Sequence, residues 1–200
     1  TAELRTSVID FLALEADYGA FSMVPDQLQD AWRLDPLPLS LAGRSAVVGL
    51  FVAQRHLSNF LAAASAFRDR VSARLNRSST QSRAALASFT AQTRDEYDNH
   101  FAYRVMYNLR NHAQHHDSPI SLIPFRYSAP TGTAKASHQI TIKLRLTELC
   151  ENSRLQKKFL AELKSRSEHE IDLLPLATEF MASHARLMAI LLSHYEPSLE

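Results

Sequence analysis

Glycine is scarce: Gly19, Gly43, Gly49 and Gly132 are the only four in 200 residues. No two are spaced as in GxGxxG, GxxxxGK[ST] or GxSxG. The signatures of a Rossmann dinucleotide site, a P-loop NTPase and an α/β-hydrolase elbow are therefore missing. Cysteine is scarcer still. Cys150 alone excludes an internal disulfide framework and a multi-cysteine zinc site, and it suits a reducing cytoplasm. With Glu148 and Glu151 beside it and no basic neighbour to generate a thiolate, it is expected to be inert. Long apolar runs are absent as well. The longest, Ala46 to Ala53, has eight residues against the roughly 20 that span a bilayer, so no membrane partner is expected. Charge of one sign is also lacking: 22 basic and 21 acidic residues give a net +1. Any nucleic-acid contact must then come from a local patch.

What is present is enough apolar sequence for one core: 46% hydrophobic and 22% charged residues over the length of a single domain. Leu4, Val8, Phe11, Leu12 and Leu14 recur at helical spacing and predict a helix from about Ala2 to Ala16, ended by Gly19. A connector holding Pro25, Pro36 and Pro38 follows. From about Leu39 to Leu75 there is no proline, and Val47, Leu50, Gln54, Leu57, Leu61, Ala64, Phe67 and Val71 mark one long helix. Gly49 and the run Ala62 to Ala64 leave little side chain in the way, so a neighbouring helix can approach closely there. The polar stretch Asn76 to Ser82 predicts a turn, and a second long helix runs from about Gln81 to His115, antiparallel to the first. Around that junction Arg68, Arg70, Arg74, Arg77 and Arg83 face a single Asp69. Such a cluster reads first as a solvated surface and second as a phosphate contact.

After Pro119 the period changes. Ile140, Ile142, Leu144 and Leu146 alternate with Thr141, Lys143, Arg145 and Thr147 as in a half-buried strand, with Ile120, Leu122, Phe125 and Tyr127 as its partner. Helix returns from about Thr147 to Ser165 and from about Asp172 to Tyr195, where Asp172 can cap and Pro175 fits the first turn. The expected fold is mainly all-α. It is a single domain over residues 1–200, an antiparallel bundle of about five helices with one small β-hairpin insertion at about 120–146.

One segment looks chemical. On a helical wheel through residues 101–119, Ala102, Val105, Met106, Leu109 and Ala113 form a buried stripe. Tyr97, Arg104, Asn108, Asn111 and His115 gather on the opposite arc, flanked by Tyr107, Arg110 and Gln114. Histidine moves a proton near neutral pH, and arginine offers a fixed fork of donors to phosphate oxygens. Arg110 and His115 lie about 140° apart on an ideal helix. A distorted helix end, or a second copy of the helix across a symmetric dimer, would bring them to one substrate. The partial negative charge at the helix C-terminus favours a protonated His115 or His116.

Arg110-Asn111-His112-Ala113-Gln114-His115, closing a long helix ahead of Pro119, resembles the HEPN superfamily (higher eukaryotes and prokaryotes nucleotide-binding). Its motif is Arg, a polar residue, then His, near a helix end. The resemblance implies a homodimeric all-α domain and, as in many members, a metal-independent endoribonuclease without cofactor. Such enzymes occur in toxin–antitoxin and antiviral systems, with a neutralising antitoxin protein as a further partner. On this reading Arg110 binds the scissile phosphate, His115 moves the proton of the attacking 2′-OH or the leaving oxygen, and Asn111 orients one of them. Arg104, Tyr107, Asn108, Arg74 and Arg77 are the candidate RNA contacts. Some members carry a tyrosine two residues after the motif histidine; here that position is Asp117.

Blander readings stand beside this one. His115 can be a helix-terminal surface residue. Tyr97, Tyr103 and Tyr107 can pack in a helix interface rather than stack on bases. Arg94 and His100 also fit the bare motif, but in mid-helix, where a structural role is expected. His112, His116 and Asp117 could hold a divalent metal, yet no HExxH and no distant carboxylate accompanies them, so no metal is expected. The alternative function is a non-catalytic helical module that dimerises or binds RNA or nucleotide.

Overall fold

The computed structural model describes residues 2–34, 39–76, 80–115, 120, 125–128, 137–151 and 155–195; for 32–34, 39–46, 80–81, 112–115, 125–128 and 137–139 only the backbone is described. The chain forms α1 (Ala2–Ser22), α2 (Val24–Leu34), α3 (Leu39–Asn76), α4 (Thr80–Asn99), α5 (Phe101–His115), β1 (Phe125–Ser128), β2 (Ser137–Ile140), β3 (Lys143–Arg145), α6 (Leu146–Cys150), α7 (Lys157–Ser165), β4 (Glu170–Asp172) and α8 (Leu173–Tyr195). It is a mainly helical bundle with small antiparallel β elements, the expected class.

α8 holds the centre. It buries Leu173, Leu176, Ala177, Phe180, Met181, Leu187, Met188 and Leu191 and packs against α1, α4 and α5. α1 lies along α3 and runs antiparallel to it: Phe11 meets Phe67 edge-on at 5.7 Å, whereas the later Tyr18 meets the earlier Phe60 at 5.5 Å. Phe67, the tenth residue from the end of α3, also reaches Phe89, the tenth residue of α4, so α3 and α4 pack antiparallel as expected. No helix among the described residues is long and apolar enough to cross a membrane.

Several boundaries differ from the periodicity. α1 passes through Gly19 and ends at Ser22. α2 then follows almost without interruption, because Met23 donates to the Gly19 carbonyl and Gln27 to that of Met23. Pro25 sits in the first turn of α2, where its missing N–H costs little, so most of the expected connector is helix. Gly49 serves that helix: a Cβ there would stand 3.2 Å from the Leu28 side chain, so its absence lets α2 lie close against α3.

The expected helix Gln81–His115 is divided at His100. Arg104 explains the break. Its Nη1 donates to the carbonyls of Tyr97 and Asp98, both at 2.7 Å, acceptors that a continuous helix would offer to the N–H groups of Phe101 and Ala102. Its Nε and Nη2 bind both carboxylate oxygens of Glu162 on α7, at 2.8 and 2.7 Å. The half-buried guanidinium thus closes α4 and ties α5 to α7. Replacing Arg104 by alanine is expected to lower unfolding free energy by about 3 kcal/mol, since several charge-assisted hydrogen bonds go at once. Lysine should recover only part, because it has no fork. Urea denaturation reads both values, and a loss below about 1 kcal/mol would reject this role.

The β region also divides. β1 and β2 form the expected hairpin, with Phe125 opposite Ile140. Lys143–Arg145, however, pairs with Glu170–Asp172 rather than continuing β2. The alternation holds on both sides of the division: Ile140, Ile142, Leu144 and Leu146 are buried. The reason lies after α7, where the returning chain offers a second edge: the Ile142 carbonyl accepts from Leu173 and that of His169 from Leu146, each at 2.9 Å. Asp172 caps α8 as expected, accepting from Leu174 N–H at 3.0 Å. The single helix expected from Thr147 to Ser165 is two, α6 and α7. Residues 129–136 and Leu122 lie outside the described residues.

Candidate functional site

α5 carries the chemical motif, and the fold covers the helix at least as far as Asn111. Ala102, Val105, Met106 and Leu109 are buried, as the wheel predicts, and so are Tyr103 and Asn108. From Phe101 to Asn111 no residue is fully exposed. The polar arc is therefore largely used inside the molecule. Asn108 donates to the Arg104 carbonyl one turn back at 2.8 Å. Arg104 is committed at the α4–α5 break. Tyr107 meets Tyr97 edge-on at 5.5 Å, and the Arg68 guanidinium lies 5.0 Å from the centre of its ring.

At the end of α5, Arg110 Nη1 donates to Asn111 Oδ1 at 3.3 Å. Arg110 Nε is buried and has no hydrogen-bond partner among the described residues. Arg110 lines a narrow gap together with Arg68, Tyr103, Met106 and Tyr107. The backbone of α5 ends at His115; the side chain of His115 lies outside the described residues, as do Arg77 and the side chains of His112, His116 and Asp117. Among the described residues no group of three or more His, Cys, Asp or Glu could hold a metal. Arg74 and Arg70 both bind Asp10 of α1, and Arg68 pairs with Asp69 at 3.0 Å. A carboxylate from a distant helix thus neutralises part of the basic cluster.

Beside the motif lies a cleft of about 360 Å³ between α3, α4 and α5, lined among others by Arg68, Arg94, Tyr97, Tyr103 and Tyr107. Periodicity places each of these residues on its own helix but not the three helices together. Arg94, expected to be structural, is exposed and points into this cleft. His100 faces the other way, 3.5 Å from both Glu96 and Glu179.

Two buried ionisable groups escape sequence reading. Glu96 is 0% exposed. Burial opposes its charge, but hydrogen bonds from Arg186, Ser183 and Gln92 outweigh that and hold its carboxyl at about 2. Arg186 supplies two of these, at 2.7 and 2.6 Å, and so locks α8 to α4. His184 packs 4.4 Å from Phe180 and stacks on Tyr103. Burial lowers it to about 4, against the hydrogen bond to the Phe180 carbonyl.

Both shifts make the fold acid-sensitive. A neutral buried histidine favours the folded state fully above its ordinary value of 6.5, and that contribution is lost as pH falls from 6.5 to about 4. The Glu96 contribution is present above 4.5 and is lost as pH falls from there to about 2. Each is worth about 3 kcal/mol by linkage. Unfolding free energy measured from pH 7.5 down to 3.5 should therefore start to fall below 6.5 and steepen below 4.5. His184→Phe should remove the first step; a level profile between pH 6.5 and 4.5 in the unaltered chain would show that His184 is not held neutral.

No protein-family model, curated protein or solved structure matches the chain, so its functional reading rests on the residues of α5 and the cleft beside them.

Proposed function

We propose that the chain is a metal-independent endoribonuclease of HEPN type that acts as a homodimer. The 2′-oxygen of one nucleotide attacks the adjacent phosphorus as it loses its proton, and the bond from phosphorus to the 5′-oxygen breaks. That oxygen gains a proton, leaving a 2′,3′-cyclic phosphate and a 5′-hydroxyl. Arg110 stabilises the phosphate charge that builds up, His115 takes or gives the proton, and Asn111 orients Arg110. The observation that carries this reading is the Arg110–Asn111 hydrogen bond: the polar residue of the motif touches the motif arginine, beside a cleft with two further guanidiniums. A place in a cytoplasmic toxin–antitoxin or antiviral system, opposed by an antitoxin protein, belongs to the same proposal.

The test is cleavage of several RNAs by purified protein in excess EDTA, with product ends identified by mass. EDTA-resistant cleavage giving cyclic phosphate ends is the expected result. Cleavage that EDTA abolishes would transfer the chemistry to a metal held by His112 and His116. Complete inactivity would favour a second reading, a non-catalytic helical module that binds RNA or nucleotide. That reading is supported by Asn108, which is buried and satisfied within α5.

A further inference from the structure

The cleft between α3, α4 and α5 has two arginines and no carboxylate among its lining residues. Arg94 is exposed and makes no ion pair among the described residues. Arg68 is held in place on two sides. It lies over the Tyr107 ring, and it shares one oxygen of its chain neighbour Asp69 through two N–H groups, at 3.0 and 3.1 Å. Asp69 is 61% exposed, so water already solvates that carboxylate and a second anion can take its place without stranding it. The wall is aromatic, formed by Tyr97 and Tyr107 in edge-to-face contact. A volume of about 360 Å³ is at the small end of ligand sites.

A neighbouring depression shares Tyr97 and Gln156 with the cleft, but there two carboxylates, Asp98 and Glu162, match two cations, Arg104 and Lys158, and Arg104 is already bound to Glu162. The excess of positive charge is therefore in the cleft with Arg68 and Arg94. Paired guanidiniums next to aromatic rings, without acidic residues, are the means by which proteins hold the phosphate and base of a single-stranded nucleotide.

We infer that this cleft is a binding subsite for one nucleotide of single-stranded RNA, with Arg94 and Arg68 on its phosphate and the Tyr97–Tyr107 wall against its base. The inference rests on the RNA-directed reading above. It places the chain of the substrate outside the Arg110–His115 motif, along α4.

The experiment uses the full chain carrying His115→Ala, to suppress cleavage, and a fluorescein-labelled single-stranded RNA octamer titrated by fluorescence anisotropy at several salt concentrations. Adding Arg94→Ala is expected to raise Kd at least fivefold and to reduce the slope of log Kd on log salt by about 0.7, the value for one phosphate contact on a single strand. Arg94→Lys should recover part of the affinity. Arg5→Ala, which removes an equal charge from an exposed position on α1, should change Kd less than twofold. Equal effects of Arg94→Ala and Arg5→Ala, or no octamer binding at all, would overturn the subsite. Free uridine or adenosine monophosphate binding as tightly as the octamer would overturn its assignment to RNA. If the unaltered chain cleaves nothing while the octamer binds and depends on Arg94, the nuclease reading fails and the subsite stands. Cleavage with octamer binding indifferent to Arg94 gives the reverse.

Discussion

Replacing His115 by alanine is expected to lower the rate of RNA cleavage by about 10²–10⁴-fold, the usual worth of a positioned acid or base. Arg110→Ala should fall in the same range, because charge building on a phosphate is then left without its fork of donors. The double variant should be little slower than either single one, since groups that act on one transition state lose their joint contribution when either goes. The fold should tolerate Arg110→Ala well: Arg110 is only half-buried, and the one hydrogen bond it makes among the described residues is the 3.3 Å contact to its neighbour Asn111. A circular-dichroism melt of each variant separates lost chemistry from lost structure. A folded variant of either kind that still cleaves at the unaltered rate would exclude that residue from the reaction.

The second large effect concerns stability, and it is asymmetric. Arg186→Ala is expected to cost about 3–5 kcal/mol, because it leaves the Glu96 carboxylate buried and without its main partner. Glu96→Gln should cost about 3 kcal/mol at most, the contribution that protonating the same carboxylate removes. The side chain of Arg186 is 43% exposed and that of Glu96 is 0% exposed. When the carboxylate goes, the guanidinium can turn to water; when the guanidinium goes, the carboxylate has nowhere to turn. The Arg186→Ala deficit should also shrink as pH falls, since protonation relieves the stranded charge. Urea denaturation of both variants at pH 7 and pH 4.5 reads the comparison. An equal loss in the two, unchanged by pH, would mean that the pair contributes by packing alone.

The sequence and the structure agree where the determining pattern is local. The apolar repeat from Val47 to Val71 is enough to specify α3, whose observed span, Leu39–Asn76, ends one residue beyond the expected one. Ala102, Val105, Met106 and Leu109 are buried along one stripe of α5, and Asp172 caps α8. These are properties of periodicity and of a side chain reaching its own backbone, and they need no distant partner.

They diverge where a distant group competes for the backbone. Nothing in the run from Gln81 to His115 forecasts a break, since it contains neither proline nor glycine. The break at His100 exists because Arg104, anchored by Glu162 on α7, takes two carbonyls of α4. The strand expected over Ile140 to Leu146 is split because the chain returning after α7 supplies a second edge.

The same distinction governs the candidate site. The sequence by itself determined the helical class, the buried stripe of α5 and the arginine, asparagine and histidine at its end. Those follow from residue type and a spacing of a few positions. Only the tertiary structure decided that Arg104 ties α4 to α7 and that Asp10 takes up Arg70 and Arg74. It also decided that Arg68, Arg94, Tyr97 and Tyr107 share one cleft. Each of these depends on side chains tens of residues apart in the chain meeting at a few ångströms, and no local pattern records which distant charge or ring a helix will meet.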